Sequence, residues 1–164
     1  MRREHLSARA GPKHEQGFTL IELMMVVMII AILITVLIPV FLGARNRAND
    51  RAMQSSLRNA LTAAKAVYVD GQDYTQATPA RLNAEGVPVK FVDQFTQPSN
   101  QNEISDFPVS ASYIVMSGQS KSGTCFFFSD DATAGTLFAK TSTAASCKAS
   151  DAPPVGDPAW KQSW

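Results

Sequence analysis

The sequence predicts an α+β fold: a long N-terminal α-helical spine, with a membrane half and an amphipathic half, packed on a small antiparallel β-sheet of about three to four strands. Three observations carry that expectation. Residues 23–42 form a run of 20 residues without a charge. Apolar residues then recur at helical spacing through Met53, Leu57, Ala60, Leu61, Ala64, Val67 and Tyr68. From Val109 the period drops to two, around the aromatic stretch Phe126-Phe127-Phe128. A length of 164 residues suits one globular domain. A net charge of +1 argues against a general nucleic-acid coat and against an acidic disordered tail. Two cysteines without a CxxC pair argue against a disulfide-dense scaffold, a zinc ribbon and a thioredoxin-like motif.

The first 17 residues are polar, with Arg2, Arg3, Arg9 and Lys13 against Glu4 and Glu15, and they show no apolar periodicity. They read as a cytoplasm-facing leader outside the fold. At about 1.5 Å per residue the uncharged run that follows spans roughly 30 Å, the thickness of a bilayer's hydrocarbon core. It exceeds the apolar region of a secretory signal peptide, and no small-x-small cleavage site follows it. A single-pass signal anchor fits its length. Glu22 does not fit a simple anchor, because a carboxylate at the start of an apolar run is costly without a partner. An amine created at Phe18 would lie one helical turn away on the same face, and Glu22 also suits the positive end of the helix dipole. Pro39 lacks an N–H and clashes with the carbonyl four residues back, so a kink or local melting near Thr35 is expected, unless the membrane helix simply tolerates it.

The stretch Gly17-Phe18-Thr19-Leu20-Ile21-Glu22-Leu23 resembles the processing site of type IV prepilins. The resemblance covers residues 17–45, and the 119 residues beyond carry no motif as specific. It implies cleavage after Gly17 by a membrane prepilin peptidase and N-methylation of Phe18. It implies that Glu22 pairs with the N-terminal amine of a neighbouring subunit, and that Pro39 marks a stretch able to unwind in a filament. The organisation it implies is a cleaved leader at 1–17, a transmembrane and polymerisation helix at 18–43, and an extracytoplasmic globular domain at 44–164. That domain divides into an amphipathic helix half at 44–70, a connecting loop at 71–108, and a sheet with a C-terminal loop at 109–164. The precursor is expected in the cytoplasmic membrane with its N-terminus inside, and the product in an extracellular filament. Expected partners are copies of the chain, the prepilin peptidase, an assembly platform with its ATPase, and the membrane.

Neither glycine nor proline occurs between Ala44 and Asp70, and Asp70-Gly71 is a stop signal, so one helix is expected from about Phe18 to Val69. Its polar face carries Arg45, Arg47, Asp50, Arg51, Arg58 and Lys65. Residues 71–108 read as loop-rich, with a short helical turn at 79–83 and a brief strand at 87–92 that Pro88 weakens. Strands are expected at 109–116, 124–128 and 136–141, with turns at 118–123 and 129–135, the second holding Asp130-Asp131. Phe126 and Phe128 should point to one face, over Leu57, Leu61 and Tyr68, and Phe127 to the other, under the C-terminal tail or a neighbouring subunit. Trp160 and Trp164 either pack on the sheet or form an adhesive surface.

Outside the cytoplasm Cys125 and Cys147 can bridge, tying the second strand to the segment after the third. The family resemblance points the same way, and two free buried thiols are the other reading. Both histidines, His5 and His14, precede Phe18, so the processed chain has no histidine base or ligand. GxSxG, P-loop and GxGxxG signatures are absent, and no enzyme, cofactor or metal is expected. Asp151 and Asp157 are the acids a calcium loop could draw on. The leading expectation is a structural pilus subunit. The alternatives are a pseudopilin of a type II secretion system and a minor pilin acting as an adhesion or DNA-uptake module. For the last, Lys121, Lys140, Lys148 and Lys161 could meet phosphates, but Asp130, Asp131, Asp151 and Asp157 balance them, so nucleic acid is not the expected partner.

Overall fold

A computed structural model describes residues 17–142 and 146–164. The leader expected at 1–17 therefore lies outside the described residues except for Gly17. The elements run α1 (Leu20–Gly71), a 3-10 turn (Tyr74–Gln76), α2 (Pro79–Ala84), β1 (Lys90–Val92), β2 (Glu103–Ser110), β3 (Tyr113–Gln119), β4 (Cys125–Asp131), β5 (Gly135–Thr141) and a second 3-10 turn (Ala149–Asp151). The fold is α+β, a long N-terminal helix and a five-stranded, mostly antiparallel sheet. The chain divides into two compact units, with the boundary between Phe41 and Leu42 inside α1.

In the first unit, α1 has the length and composition to cross a membrane, and its apolar side chains from Leu20 to Phe41 are exposed. The local melting expected near Thr35 is not present, because α1 is helical without a break through Pro39. A proline removes one hydrogen bond from a ladder whose other bonds remain, and Thr35 Oγ1 donates to the carbonyl of Ala31 at 2.8 Å.

In the second unit the amphipathic half of α1 buries Met53, Leu57, Ala60, Ala63, Ala64 and Val67. They pack with Ile104, Ile114, Met116, Phe126 and Phe128, while Leu61 and Tyr68 lie partly buried against that core. Phe126 and Phe128 thus share the helix-covered face, as the period-two reading expects. The three alanines keep the helix surface low, so the strands approach closely. One close approach is at Gly118, where a Cβ atom would overlap Met53 Cε and lie 3.1 Å from Ile104 Cδ1. Sequence reasoning places Gly118 in a turn. It lies instead inside β3, which runs on to Gln119, and the reversal is made by Ser120 to Thr124 with Gly123 at φ +91°. Gly118→Ala is expected to cost about 1–3 kcal/mol by overpacking. Thermal unfolding of Gly118→Ala, Met53→Ala and the double variant checks this, and the double variant should lose less than the sum of the singles.

The strand order is β1-β2-β3-β4-β5, with β1 parallel to β2 and every later pair antiparallel. Two expectations fail here. The helical turn and brief strand expected within 71–108 are present as α2 and β1, but the segment also holds most of β2, where the sequence reads as loop. The strand expected at 109–116 is two strands, because Ser110 pairs with Tyr113 and the chain reverses at Ala111-Ser112. No glycine or asparagine marks that reversal. Other elements satisfy its carbonyls instead: Tyr74 N–H donates to Ala111 at 2.8 Å and Ala132 N–H to Ser112 at 2.9 Å. Pro108 is tolerated because β1 pairs only with residues 103–105 of β2, so the rest of β2 is an edge on that side.

The opposite sheet face buries Val115, Cys125, Phe127, Ala139, Cys147 and Trp160. The tail covers it, and Trp160 Nε1 donates to the carbonyls of Pro153 and Pro154 at 3.1 and 3.0 Å. Trp164 lies on the helix-covered face, with ring centroids 5.1 Å from Phe126 and 4.8 Å from Phe138. Lys161 and Phe138 exchange two backbone hydrogen bonds of 2.8 Å, so the tail grips β5 with one tryptophan on each face of the sheet. Both tryptophans therefore pack.

Asp130 is the other departure. It is not a turn residue but a buried member of β4, where it accepts from Tyr74 Oη at 2.5 Å and from Thr136 Oγ1, and pairs with Lys65 Nζ at 3.3 Å. Burial, first, and then the bond to Asp130 push the Tyr74 hydroxyl up from its ordinary value, so it stays a donor. Asp131 alone forms the turn, accepting from Thr133 N, Thr133 Oγ1 and Ala134 N at 2.8, 2.6 and 3.0 Å.

Candidate processing and assembly site

The residues singled out by sequence fall in both units. Gly17 and Phe18 precede α1, and Phe18 is 90 % exposed. Glu22 occupies the first turn of α1. Thr19 N–H and Thr19 Oγ1 both donate to Glu22 Oε2, at 3.1 and 2.9 Å, and Glu22 N–H donates to Thr19 Oγ1 at 3.3 Å. This reciprocal capping box starts the helix and orders the carboxylate at its positive end. Sequence reasoning assigns Glu22 but passes over Thr19, although the Thr-x-x-Glu spacing is visible. The geometry gives an exposed aromatic residue ahead of the helix, a carboxylate one turn further on, and an apolar helix behind both.

The second unit contributes the closed C-terminal segment. Cys125 of β4 and Cys147 are disulfide-bonded, with Cα atoms 5.6 Å apart. Around the bridge, Ser117 Oγ donates to the Cys147 carbonyl at 2.8 Å, Cys147 N–H donates to Gln97 Oε1 at 2.6 Å, and Ala149 N–H donates to Ser105 Oγ at 3.0 Å. The bridge closes a loop of sequence separation 22 and contributes roughly 3 kcal/mol. The double variant Cys125→Ser/Cys147→Ser should lose about that much stability, and a melting temperature matching the parent under oxidising conditions would contradict it. The acids considered for calcium serve local turns: Asp151 accepts from Lys148 N–H at 3.1 Å and Asp157 from Ala159 N–H at 2.7 Å. Among the described residues no cluster of three or more histidine, cysteine, aspartate or glutamate side chains could hold a metal ion.

The family described as "Prokaryotic N-terminal methylation motif" matches residues 12–38. No curated protein and no solved structure matches the chain. The match spans the capping box, the exposed Phe18 and most of the apolar run, so the chain carries the type IV prepilin signature. That signature is a structural motif rather than an enzyme family, and it supports a member of the type IV pilin and pseudopilin class. It implies processing by a prepilin peptidase and self-polymerisation, and with the apolar helix it fits a membrane-anchored precursor.

Proposed function

We propose that this chain is the structural subunit of a type IV pilus. The peptidase cuts between Gly17 and Phe18 and methylates the new amine of Phe18. Glu22 then pairs with the amine of an adjacent subunit, a favourable contact only where the apolar surroundings exclude water. An assembly platform and its ATPase move the subunit out of the cytoplasmic membrane. The apolar helices bundle in the filament core, where Pro39 lets them adjust, and the disulfide-closed domains face outward on the cell surface.

The observation that carries this reading is the methylation motif joined to an apolar helix half whose side chains are all exposed. Such a surface needs either lipid or its own copies around it. The disulfide across the C-terminal segment supports a domain held outside the cytoplasm. Deletion of the chain from the producing cell tests it. Surface fibres should vanish and return with a plasmid copy, whereas fibres unchanged in number would refute the assignment.

A further inference from the structure

The second unit is electrically polar from one sheet edge to the other. Segment 70–103, which holds α2 and the β1 edge, contains the acids Asp70, Asp73, Glu85, Asp93 and Glu103 against only Arg81 and Lys90. Both bases are already paired, Arg81 with Asp70 at 3.5 Å and Lys90 with Glu103 at 2.8 Å. The β5 edge has the opposite sign. Arg47, Arg51, Arg58 and Lys65 fall within an arc of about 40° on α1 at roughly 100° per residue. Lys65 reaches Asp130 near that edge, which fixes the arc on the β5 side. Lys140 on β5 and Lys161 on the tail extend it, and the acids on this side are engaged within the chain: Asp50 accepts from Ser122 Oγ, Asp130 pairs with Lys65, Asp131 accepts from its own turn and Asp157 from Ala159 N–H.

The two edges also differ in shape. Lys140, Lys161, Ser163 and Trp164 line a recess beside Phe138 and Ala139. Among the described residues neither lysine has an acidic partner. On the other edge Glu85 projects at the end of α2, exposed and without a cation among the described residues. A carboxylate at a helix C-terminus is disfavoured by the helix's own dipole, so nothing within the chain recommends it there. Neither edge offers much backbone: β1 has three residues, and Lys161 already occupies β5 at Phe138. A contact at these edges is therefore made by side chains.

We propose that these edges are the two halves of one interface between copies of this chain, with Glu85 of one copy seated in the Lys140 and Lys161 recess of the next. Opposite charges on opposite edges cannot meet through a two-fold axis, which would set like against like. They meet head to tail, and a head-to-tail contact that does not close into a ring extends without limit. The inference rests on the filament reading for its setting, but the pairing itself is testable apart from it.

The test uses full-length chains produced as a mixture of normal and heavy-isotope copies, cross-linked in the cell envelope with a zero-length carbodiimide. Mixed-isotope peptides joining Lys140 or Lys161 to Glu85 are expected. Cross-links found only within single chains would overturn the proposal. Cross-links between copies in cells that shed no filaments would uphold the pairing and overturn the filament reading instead. Lys140→Glu with Lys161→Glu removes the cross-linkable amines, so it is read by assembly instead: the yield of multimeric chain should fall at least tenfold without moving the melting temperature, and adding Glu85→Lys should restore it. If the swapped triple variant assembles no better than the double, the pairing is wrong.

Discussion

Glu22→Ala should leave cleavage at Gly17 and insertion in the membrane unchanged, and should reduce surface filaments by at least about 100-fold. Two contributions are lost together. Inside the chain, Thr19 loses the acceptor for its N–H and hydroxyl, which weakens the first turn. Between chains in the proposed filament, the amine of Phe18 would be left buried without a counter-charge, and breaking a buried pair costs about 3–5 kcal/mol. The second contribution dominates and alone corresponds to two or more orders of magnitude per contact. Glu22→Gln separates them, since the amide keeps an acceptor for Thr19 but no charge. If capping mattered most, Glu22→Gln would assemble normally. The account requires that it fail nearly as badly as alanine, measured as processed chain in sheared fractions against processed chain in membranes.

The second large effect concerns Asp106. This carboxyl is 1 % exposed, and both its oxygens lack a hydrogen-bond partner. It lies on the helix-covered sheet face, opposite Met116 in the register. Burial, with a smaller contribution from the Asp93 carboxylate, pushes it up to about 8. The folded state thus holds a proton that the unfolded state releases above about pH 4. Stability contributed by this group is complete below that pH and falls as pH rises, by up to about 1.4 kcal/mol per unit, until the folded carboxyl ionises near pH 8. Asp106→Leu, which removes the polar group, should raise stability at neutral pH by about 2–4 kcal/mol and flatten the decline. Denaturant melts at several pH values decide it. A variant no more stable than the parent, with the same slope, would show that Asp106 is solvated in the native domain.

Asp106 also explains why part of the sheet was illegible. In Glu103-Ile104-Ser105-Asp106-Phe107-Pro108 an acid occupies an inward position and a proline follows, so period-two alternation is masked. The reversal at Ala111-Ser112 lacks turn residues and depends on donors from Tyr74 and Ala132, which lie far away in sequence. Gly118 reads as punctuation but serves close packing under Met53. Asp130 looks like half of a turn because its partners Lys65 and Tyr74 come from α1 and the turn that follows it. By contrast α1 and the Phe126 and Phe128 face are set by local periodicity and could be read directly, while the sequence left the Cys125–Cys147 bridge open beside two free thiols and the structure shows it formed. The methylation motif was legible for a different reason. Its residues, Gly17, Phe18 and Glu22 among them, stand together in the sequence, with Thr19 missed only as the cap.

The central claim is that a processed, methylated chain builds a surface filament. Intact-mass analysis of material sheared from cells tests it most directly. An abundant chain beginning at N-methylated Phe18 with the mass of an oxidised cysteine pair is expected. An unprocessed chain retained in the membrane, with its leader still attached through Gly17, would contradict it.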